Sequence, residues 1–497
     1  MNQSIIGLAA YLAVMLGIGA WTWKFNKTKE DFILGGRRLG PWVIAFSERT
    51  AAESAWLLLG LSGMFFWVGM GEIWTVIGCV TGIILSWYII AKKIRIKSEE
   101  YGAITLPEYF YKAVGGSNAV RVISMLIIVF FYAFYLCAQF VGAGKVLDVT
   151  FGIDYHWGIV LGSIVIILYT LMGGFMAVCY TDVVQAILMI TTLILLPLLG
   201  LIFLFNHGEA VAAALESTRV ASSFTGGKTG LAALSLILGG LSWGFGYMGQ
   251  PHLVTKFMAI KSADKIKISR RIATVWTFFA YGGAVLIGIV GIAMIHYGHL
   301  DASQLDVKGV LDKERILPVL TNYLFPAWMA GILISGAIAA MMSTADSQLL
   351  IATSTVVEDF YSKALKKNIS QKKLVSMSRW VTFAVGMLAL IVAFTTENII
   401  YKIVTYAWAG LGSAFGPALL MTLYWKKTNS WGVISGMLTG AITTILWTEI
   451  SFLDRMISVR FSSFIFAFIA VIIASLLKPR FDKKKAPLKR KLAQNAS

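Results

Sequence analysis

Charge is what this sequence has least of. Of its 497 residues only 14% are Asp, Glu, Lys or Arg, while 58% are hydrophobic; soluble domains carry about a quarter charged residues. That shortage excludes an ordinary soluble fold, and a mean hydropathy of +0.75 places the chain in a bilayer. Cysteine is nearly absent. Cys79, Cys137 and Cys179 fall in or at the ends of apolar segments and supply neither a disulfide framework nor metal-ligand spacing, so they read as small packing residues. Histidine is equally scarce: His156, His207, His252, His296 and His299 lie at loops or span ends, where solvated roles are expected. With no nucleophile–base set and no metal-spaced histidines, a membrane enzyme finds no support. Alternation at period two is missing too, which excludes a transmembrane barrel in favour of helices. The start, "MNQSIIGLAAYLAVMLGIGAWTW", lacks a basic n-region and a small-residue cleavage site, so it reads as a retained first span rather than a signal peptide.

What is present is a series of long apolar runs, several exceeding the roughly 20 residues that cross a bilayer. Thirteen spans are predicted, at about 3–23, 42–69, 72–91, 119–144, 156–178, 182–205, 230–250, 272–297, 326–355, 377–395, 399–425, 431–448 and 461–477. The loops between them alternate in charge. "KFNKTKEDFILGGRR", "KKIRIKSEE", "KFMAIKSADKIKISRR", "KALKKNISQKKLVSMSR", "WKKTN" and the tail "KPRFDKKKAPLKRK" are basic, and the intervening loops are not. Cytoplasmic loops collect Lys and Arg, so the N-terminus is expected outside, the C-terminus in the cytoplasm, and the whole in a plasma (bacterial inner) membrane. The formal net charge of +18 then has a topogenic cause and implies no nucleic acid. The expected organisation is a first span and loop (1–40), two five-helix units (41–205 and 206–425), two peripheral spans (426–478) and a basic tail (479–497) with no further soluble domain.

Two spans are interrupted by small and polar residues: the second, with "SERTAAESAWLLLGLSG", and the seventh, with "GGLSWGFGYMGQP". They stand five apart, so two such units would lie in opposite orientations. Paired broken helices at matching places in two halves point to the binding site of a secondary transporter.

A charge at mid-bilayer costs at least about 2.5–3.5 kcal/mol, so intramembrane ionisable groups pair or line a cavity. Glu53 lies four residues after Arg49, a spacing at which they would neutralise each other on a helix; Glu48 and Arg49 would otherwise sit at the cytoplasmic mouth. The small run Thr50, Ala51, Ala52, Ser54 and Ala55 would let the backbone leave the helix and present carbonyls, which suit a hard cation such as sodium. In the ninth span Gly336, Ala340, Ser343 and Ser347 share one helix face, with Asp346 at its edge. Such a face serves close helix packing or, with hydroxyls and a carboxylate, a site for a cation that prefers oxygen. Asp182 opens the sixth span, as a helix-capping residue or as a partner of Asp346 across a second cation site. Trp243, Tyr247 and Pro251 recur at spacings of four, either as core or as the lining of a substrate path beside Gly244, Gly246 and Gly249.

At these residues the sequence resembles the sodium:solute symporter family, and within it the sodium/proline symporters. The matching stretches are "ESAWLLLGLSG", "ITLPEYF", "GGFMAVCYTDVVQA", "SWGFGYMGQPHLVTKFM", "AAMMSTADSQLL" and "YAWAGLGSAFGP", in family order over nearly the whole chain. The resemblance implies an all-α membrane protein with the inverted five-plus-five repeat of the leucine-transporter type, working by alternating access as a monomer in the lipid bilayer. It implies a sodium site of backbone carbonyls from Thr50, Glu53 and Ala340 with the hydroxyls of Ser343 and Thr344. It implies a substrate pocket including Ser54, Tyr135, Trp243, Tyr247 and Pro251, to which Gln139 is added as a candidate, and in some relatives a second sodium at positions matching Asp182, Ser343, Asp346 and Ser347. This chain departs from the proline members by Ala52 in place of an aspartate, Glu53 one position along, Ala55 in place of glycine, and Gln139 where glycine is usual.

The expected function is therefore sodium-coupled import of a small amino acid, proline first, with sodium as co-transported substrate and no cofactor. The rivals are proton coupling or a quaternary-ammonium or other amino-acid substrate on the same fold, and a transporter-like sensor module.

Overall fold

A computed structural model describes residues 3–22, 28–172, 174–217, 221–307, 309–366, 371–396 and 399–478; the basic tail expected at 479–497 lies outside them. In lipid a backbone has no water to bond, so spanning segments close their own hydrogen bonds as helices. Accordingly the first half is built from α1 (Gln3–Thr22), α2 (Pro41–Ala55), α3 (Ser62–Val68), α4 (Ile73–Leu85), α5 (Ala91–Glu100), α6 (Leu106–Ala113), α7 (Asn118–Phe151), α8 (Tyr155–Met172) and α9 (Phe175–Asn206). The second half adds α10 (Gly230–Leu241), α11 (Trp243–Gly246), α12 (Pro251–Ala259), α13 (Ile266–His296), α14 (Ile316–Leu324), α15 (Ala327–Ser354), α16 (Gln371–Thr395) and α17 (Ile400–Tyr424), followed by α18 (Ser430–Glu449) and α19 (Val459–Leu477). One short hairpin, β1 (Asp306–Val307) with β2 (Val310–Leu311), pairs Asp306 with Leu311 in a loop.

Ten helical stretches among the described residues are long and apolar enough to cross a membrane; an eleventh is a pair, Gly230–Gly246 and Pro251–Ala259, bent by 41°. The stretch over 41–100 holds two predicted spans, reversing at Gly69, whose φ is +70°. Arg37 Nη1 donates to Ser98 Oγ at 3.1 Å, so the two ends of this hairpin meet. With α8, slightly short of the length limit, each of the thirteen predicted windows overlaps a helical stretch, although 156–178 runs past the end of α8 into α9.

The bundle is apolar outside, and within it charged groups are buried in an apolar core. Trp157, Leu168, Phe205, Phe278, Trp380 and Leu446 are exposed, as a lipid-facing surface requires, while Glu48, Arg49, Asp182, Lys256 and Asp346 are buried. Hydrophobicity cannot drive helices together in lipid, so close contact relies on small residues. The seam between α4 and α10–α11 is an instance: a Cβ at Gly82 would lie 2.3 Å from the Cα of Gly244, and one at Gly78 would lie 2.5 Å from the carbonyl of Gly240.

Polar contacts close the two ends. At one, Arg37 also donates to the carbonyls of Met258 and Ala103, each at 2.8 Å, and Lys363 pairs with Glu108 at 2.7 Å and with Glu358 at 3.0 Å. At the other, Lys145 pairs with Asp312 at 2.9 Å and Glu314 at 2.6 Å. Glu314 also accepts from the amides of Ile400 and Tyr401, so a carboxylate sits at the positive N-terminus of α17. Arg37, Ser98, Met258 and Lys363, from four of the basic stretches, thus lie at one end.

Candidate functional site

The first break lies where the small residues of α2 run out. Ser54 has φ +50° and ψ −173°, a conformation that costs about 1–3 kcal/mol and persists only where its surroundings enforce it. Two amides meet side-chain acceptors there, Trp56 N–H in addition to the carbonyl of Glu53. Trp56 N–H donates to Ser54 Oγ at 3.1 Å, and Ala55 N–H donates to Gln139 Oε1 at 3.1 Å, reaching across to α7. Gln139 Nε2 in turn donates to the carbonyl of Tyr135 at 3.2 Å, which fixes its orientation. One turn before the break the carbonyl of Ala51 accepts from Thr344 Oγ1 on α15 at 3.1 Å.

The second break separates α11 from α12, with Pro251 restarting the helix. Gln250 Nε2 donates to the carbonyl of Trp408 at 3.1 Å, and Trp408 Nε1 donates to the carbonyl of Trp243, also at 3.1 Å. The approach is close: a Cβ on Gly246 would lie 1.8 Å from Trp408 Nε1. Between the breaks Ala52, Trp56, Tyr135, Trp243, Tyr247, Val404 and Trp408 close around a tight aromatic cavity that leaves no room for a water molecule. The rings of Trp56 and Trp243 lie 4.3 Å apart, those of Tyr247 and Trp408 lie 4.7 Å apart, and Tyr247 bonds Tyr281 hydroxyl to hydroxyl at 2.6 Å. The indole N–H groups of Trp56 and Trp243 are buried with no acceptor from the protein.

Of the expected pocket residues, Tyr135, Trp243 and Tyr247 line this cavity. Ser54 and Pro251 mark the two breaks beside it, and Gln139 buttresses the first. Trp56, Val404 and Trp408 were not anticipated. The two tryptophans stand inside the resembling stretches "ESAW" and "YAWAGLGSAFGP", and that was the available signal.

A larger cavity of about 820 Å³ opens on the side away from the basic loops, bounded by Glu72, Thr75, Tyr401, Lys402 and Arg460 among others. Tyr401 stands between the two cavities. Its hydroxyl donates to Glu72 at 2.6 Å and its ring lies 5.5 Å from that of Trp243. The Arg460 guanidinium covers the Trp243 ring at 4.5 Å.

The charges of α2 are arranged otherwise than their spacing suggested. Arg49 pairs in bidentate fashion with its neighbour Glu48, not with Glu53 four residues on. Both are fully buried rather than at a solvated mouth, and Trp87 Nε1 donates to Glu48 at 3.1 Å. Planar guanidinium–carboxylate pairing engages two hydrogen bonds at once, which favours this partner over the single contact a longer reach would give. Glu53 instead accepts from Trp276 Nε1 on α13 at 2.7 Å, and its other oxygen has no partner.

Side-chain oxygens of α15 face α8 and α9. Ser343 Oγ donates to Asp182 Oδ1 at 2.6 Å, Ser47 donates to Asp182 Oδ2, and Thr170 Oγ1 donates to Asp346 Oδ1 at 2.5 Å. Asp346 Oδ2 and the Ser347 hydroxyl are buried without partners. Thr50 bonds back to its own helix at 3.0 Å, and Ala340 is buried on α15 one turn before Thr344. So Asp182 and Ser343 are joined, Asp346 and Ser347 lie in the next turn, and Thr344 touches α2. The expected capping role of Asp182 fails, because α9 starts at Phe175 and places it two turns inside.

Two further expectations are corrected. His252 is buried at the start of α12, its Nδ1 3.1 Å from the hydroxyl of Tyr132. Lys256, read as part of a basic loop, is buried in the same helix and pairs with Asp182 at 3.2 Å. Both follow from the chain re-entering the bundle as a helix after the second break.

Two broken helices meeting at a cluster of aromatic side chains, with buried hydroxyls and carboxylates at one break, define a secondary transporter. The sodium:solute symporter family model matches residues 32–440. The chain is 37% identical to the "Sodium/proline symporter" of Escherichia coli K12 over 475 residues, covering 95% of this chain and 93% of that one. It is 37% identical to the "High-affinity proline transporter PutP" of Bacillus subtilis 168, covering 94% and 95%. In structure it is similar to a Na+-coupled sialic acid symporter, with a TM-score of 0.79 at 19% identity, covering 97% and 99% of the two chains. This chain belongs to the sodium:solute symporter family.

Proposed function

We propose that the chain imports L-proline with sodium across a bacterial inner membrane, by alternating access between the cavity flanked by Glu72 and Arg460 and the end sealed by Lys363 and Arg37. The N-terminus would then be outside, the C-terminus cytoplasmic and the monomer the working unit, with no enzymatic step. The observation that carries this reading is the tight aromatic cavity between the two breaks, which has to open to admit a substrate. A pyrrolidine ring suits its aromatic walls, a secondary ammonium suits their faces, and the two unpartnered indole N–H groups can meet a carboxylate. Sodium would be held by the carbonyls of Thr50, Glu53 and Ala340 with the hydroxyls of Ser343 and Thr344. The Thr344 contact with Ala51 supports this placing, and Asp182, Asp346 and Ser347 would make up any second site. Relatives named for proline support the choice of substrate.

The same walls suit a quaternary ammonium zwitterion such as a betaine, and this is the second reading. Uptake of labelled proline into proteoliposomes, with and without an inward sodium gradient and with unlabelled betaine and amino acids as competitors, separates the two. Gradient-driven uptake blocked by proline alone is expected. Uptake indifferent to sodium, or blocked better by betaine, overturns the proposal.

A further inference from the structure

Lys256 carries a positive charge into the middle of the bundle with 1% of its side chain exposed. A lysine near a helix end usually extends its stem towards water, and this one does not. Its ammonium lies 3.2 Å from Asp182 Oδ2, 3.5 Å from Cys179 Sγ and 4.9 Å from the centre of the Phe175 ring. Among the described residues Asp182 is the sole carboxylate in ion-pair range of it. That carboxylate has no free oxygen. Ser343 occupies Oδ1, and Ser47 and Lys256 share Oδ2, so α2, α9, α12 and α15 all converge on it. Asp346, by contrast, keeps one oxygen unpartnered beside the unpartnered Ser347 hydroxyl.

We propose that Lys256 is a tethered counter-ion that fills the cation-binding capacity of Asp182, and that its presence excludes a second sodium ion there and holds coupling at one sodium per substrate. The proposal rests on the sodium-symport reading. The physics is charge balance. A desolvated carboxylate is stabilised by one nearby positive charge, and a second cation placed within about 4 Å of the ammonium meets strong repulsion at low dielectric. An ammonium fixed to α12 cannot be diluted away, so it wins this site against an ion that must arrive from solution and shed its water. Because α12 begins at the second break, the counter-ion also travels with a helix expected to move during transport.

The test uses the full chain in proteoliposomes, reading the ratio of radioactive sodium to labelled proline taken up and the steepness of the sodium dependence. The wild type should give a ratio and a Hill coefficient of about one. Lys256→Met frees Asp182, Ser343, Asp346 and Ser347 as a set, and both values should rise to about two; its melting temperature in detergent should gain more than the wild type's when choline is replaced by sodium. The neutral pair Lys256→Met/Asp182→Asn should return both values to one. The wild-type ratio needs no variant and tests the idea even if Lys256→Met does not fold, since a ratio of two contradicts it. A wild-type ratio of two that Asp182→Asn lowers to one overturns the proposal and leaves sodium symport intact, as does a Lys256→Met ratio that stays at one. Wild-type uptake insensitive to sodium overturns both.

Discussion

The amide of Ala55 and the side chain of Gln139 meet at 3.1 Å, a hydrogen bond by which α7 satisfies a donor that the break in α2 sets free. A buried donor without a partner costs about 1–3 kcal/mol, so this contact helps decide whether the break forms at all. Replacing Gln139 with Leu, which fills similar space and accepts nothing, should destabilise the chain by about 1–3 kcal/mol and weaken substrate binding. Melting in detergent and a proline Kd in sodium read the two effects. Unchanged values for both would show that the break does not depend on α7.

Arg49 and Glu48 form a fully buried pair with matched charges. Removing one partner of such a pair leaves a desolvated charge and costs about 3–5 kcal/mol, whereas removing both can be nearly neutral. Arg49→Met should therefore be much less stable than the wild type, and Glu48→Gln/Arg49→Met should recover most of the loss. The measurement is a thermal double-mutant cycle on purified protein. Additive effects would instead assign Arg49 to Glu53, the partner its sequence spacing favours.

Outside the spans, α6 is anchored by Glu108. Its amide donates to Thr105 Oγ1 at 3.2 Å, and its carboxylate accepts from Ile104 N–H at 3.1 Å and pairs with Lys112 and Lys363. Burial pushes its pKa up, but the Lys363 ammonium, the Ile104 amide and Lys112 together outweigh burial and hold the carboxyl below its ordinary value. A depressed folded-state pKa stabilises above the unfolded value, about 4.3, and that contribution is lost as pH falls through the folded one. Lys363→Met should accordingly lower the melting temperature at neutral pH and flatten its fall below about pH 4.3. A pH profile parallel to the wild type's would show that this pair carries no linkage.

The sequence makes the membrane architecture plain because hydropathy acts locally: each apolar window becomes a helix whatever it packs against. The breaks are legible for a similar reason, since "TAAESA" and "GFGYMGQ" interrupt otherwise apolar spans with small and polar residues. Partners are not legible in the same way. Arg49 chose its neighbour over the residue one turn on, because side-chain reach and burial set that geometry. Lys256 and His252 read as loop residues in a basic window, yet α12 carries them inward after a proline restart. Trp408 reads as one aromatic in a glycine-rich span, and only the docking of α17 against Gly246 turns it into a cavity wall.

Thr344 reaches the carbonyl of Ala51 from α15 at 3.1 Å, and this contact joins the proposed sodium ligands to the broken helix that shapes the substrate cavity. A cation placed here would bind well only when α2 and α15 are close, and substrate needs the same closeness to find Trp56 and Tyr135 together. A ligand favours the state it binds better, and such coupling is reciprocal. Thr344→Val keeps the shape and removes the hydroxyl. It should reduce the sodium-induced drop in proline Kd by about tenfold, equivalent to about 1.4 kcal/mol, while proline binding without sodium changes little. Thr353→Val, one of a hydroxyl pair with Thr382 further along the same helix, is the control and should leave the coupling intact. Isothermal titration of each variant with proline, in sodium and in choline, reads the difference directly. If Thr344→Val retains the full sodium effect, the cation binds elsewhere and the link between α2 and α15 is packing alone.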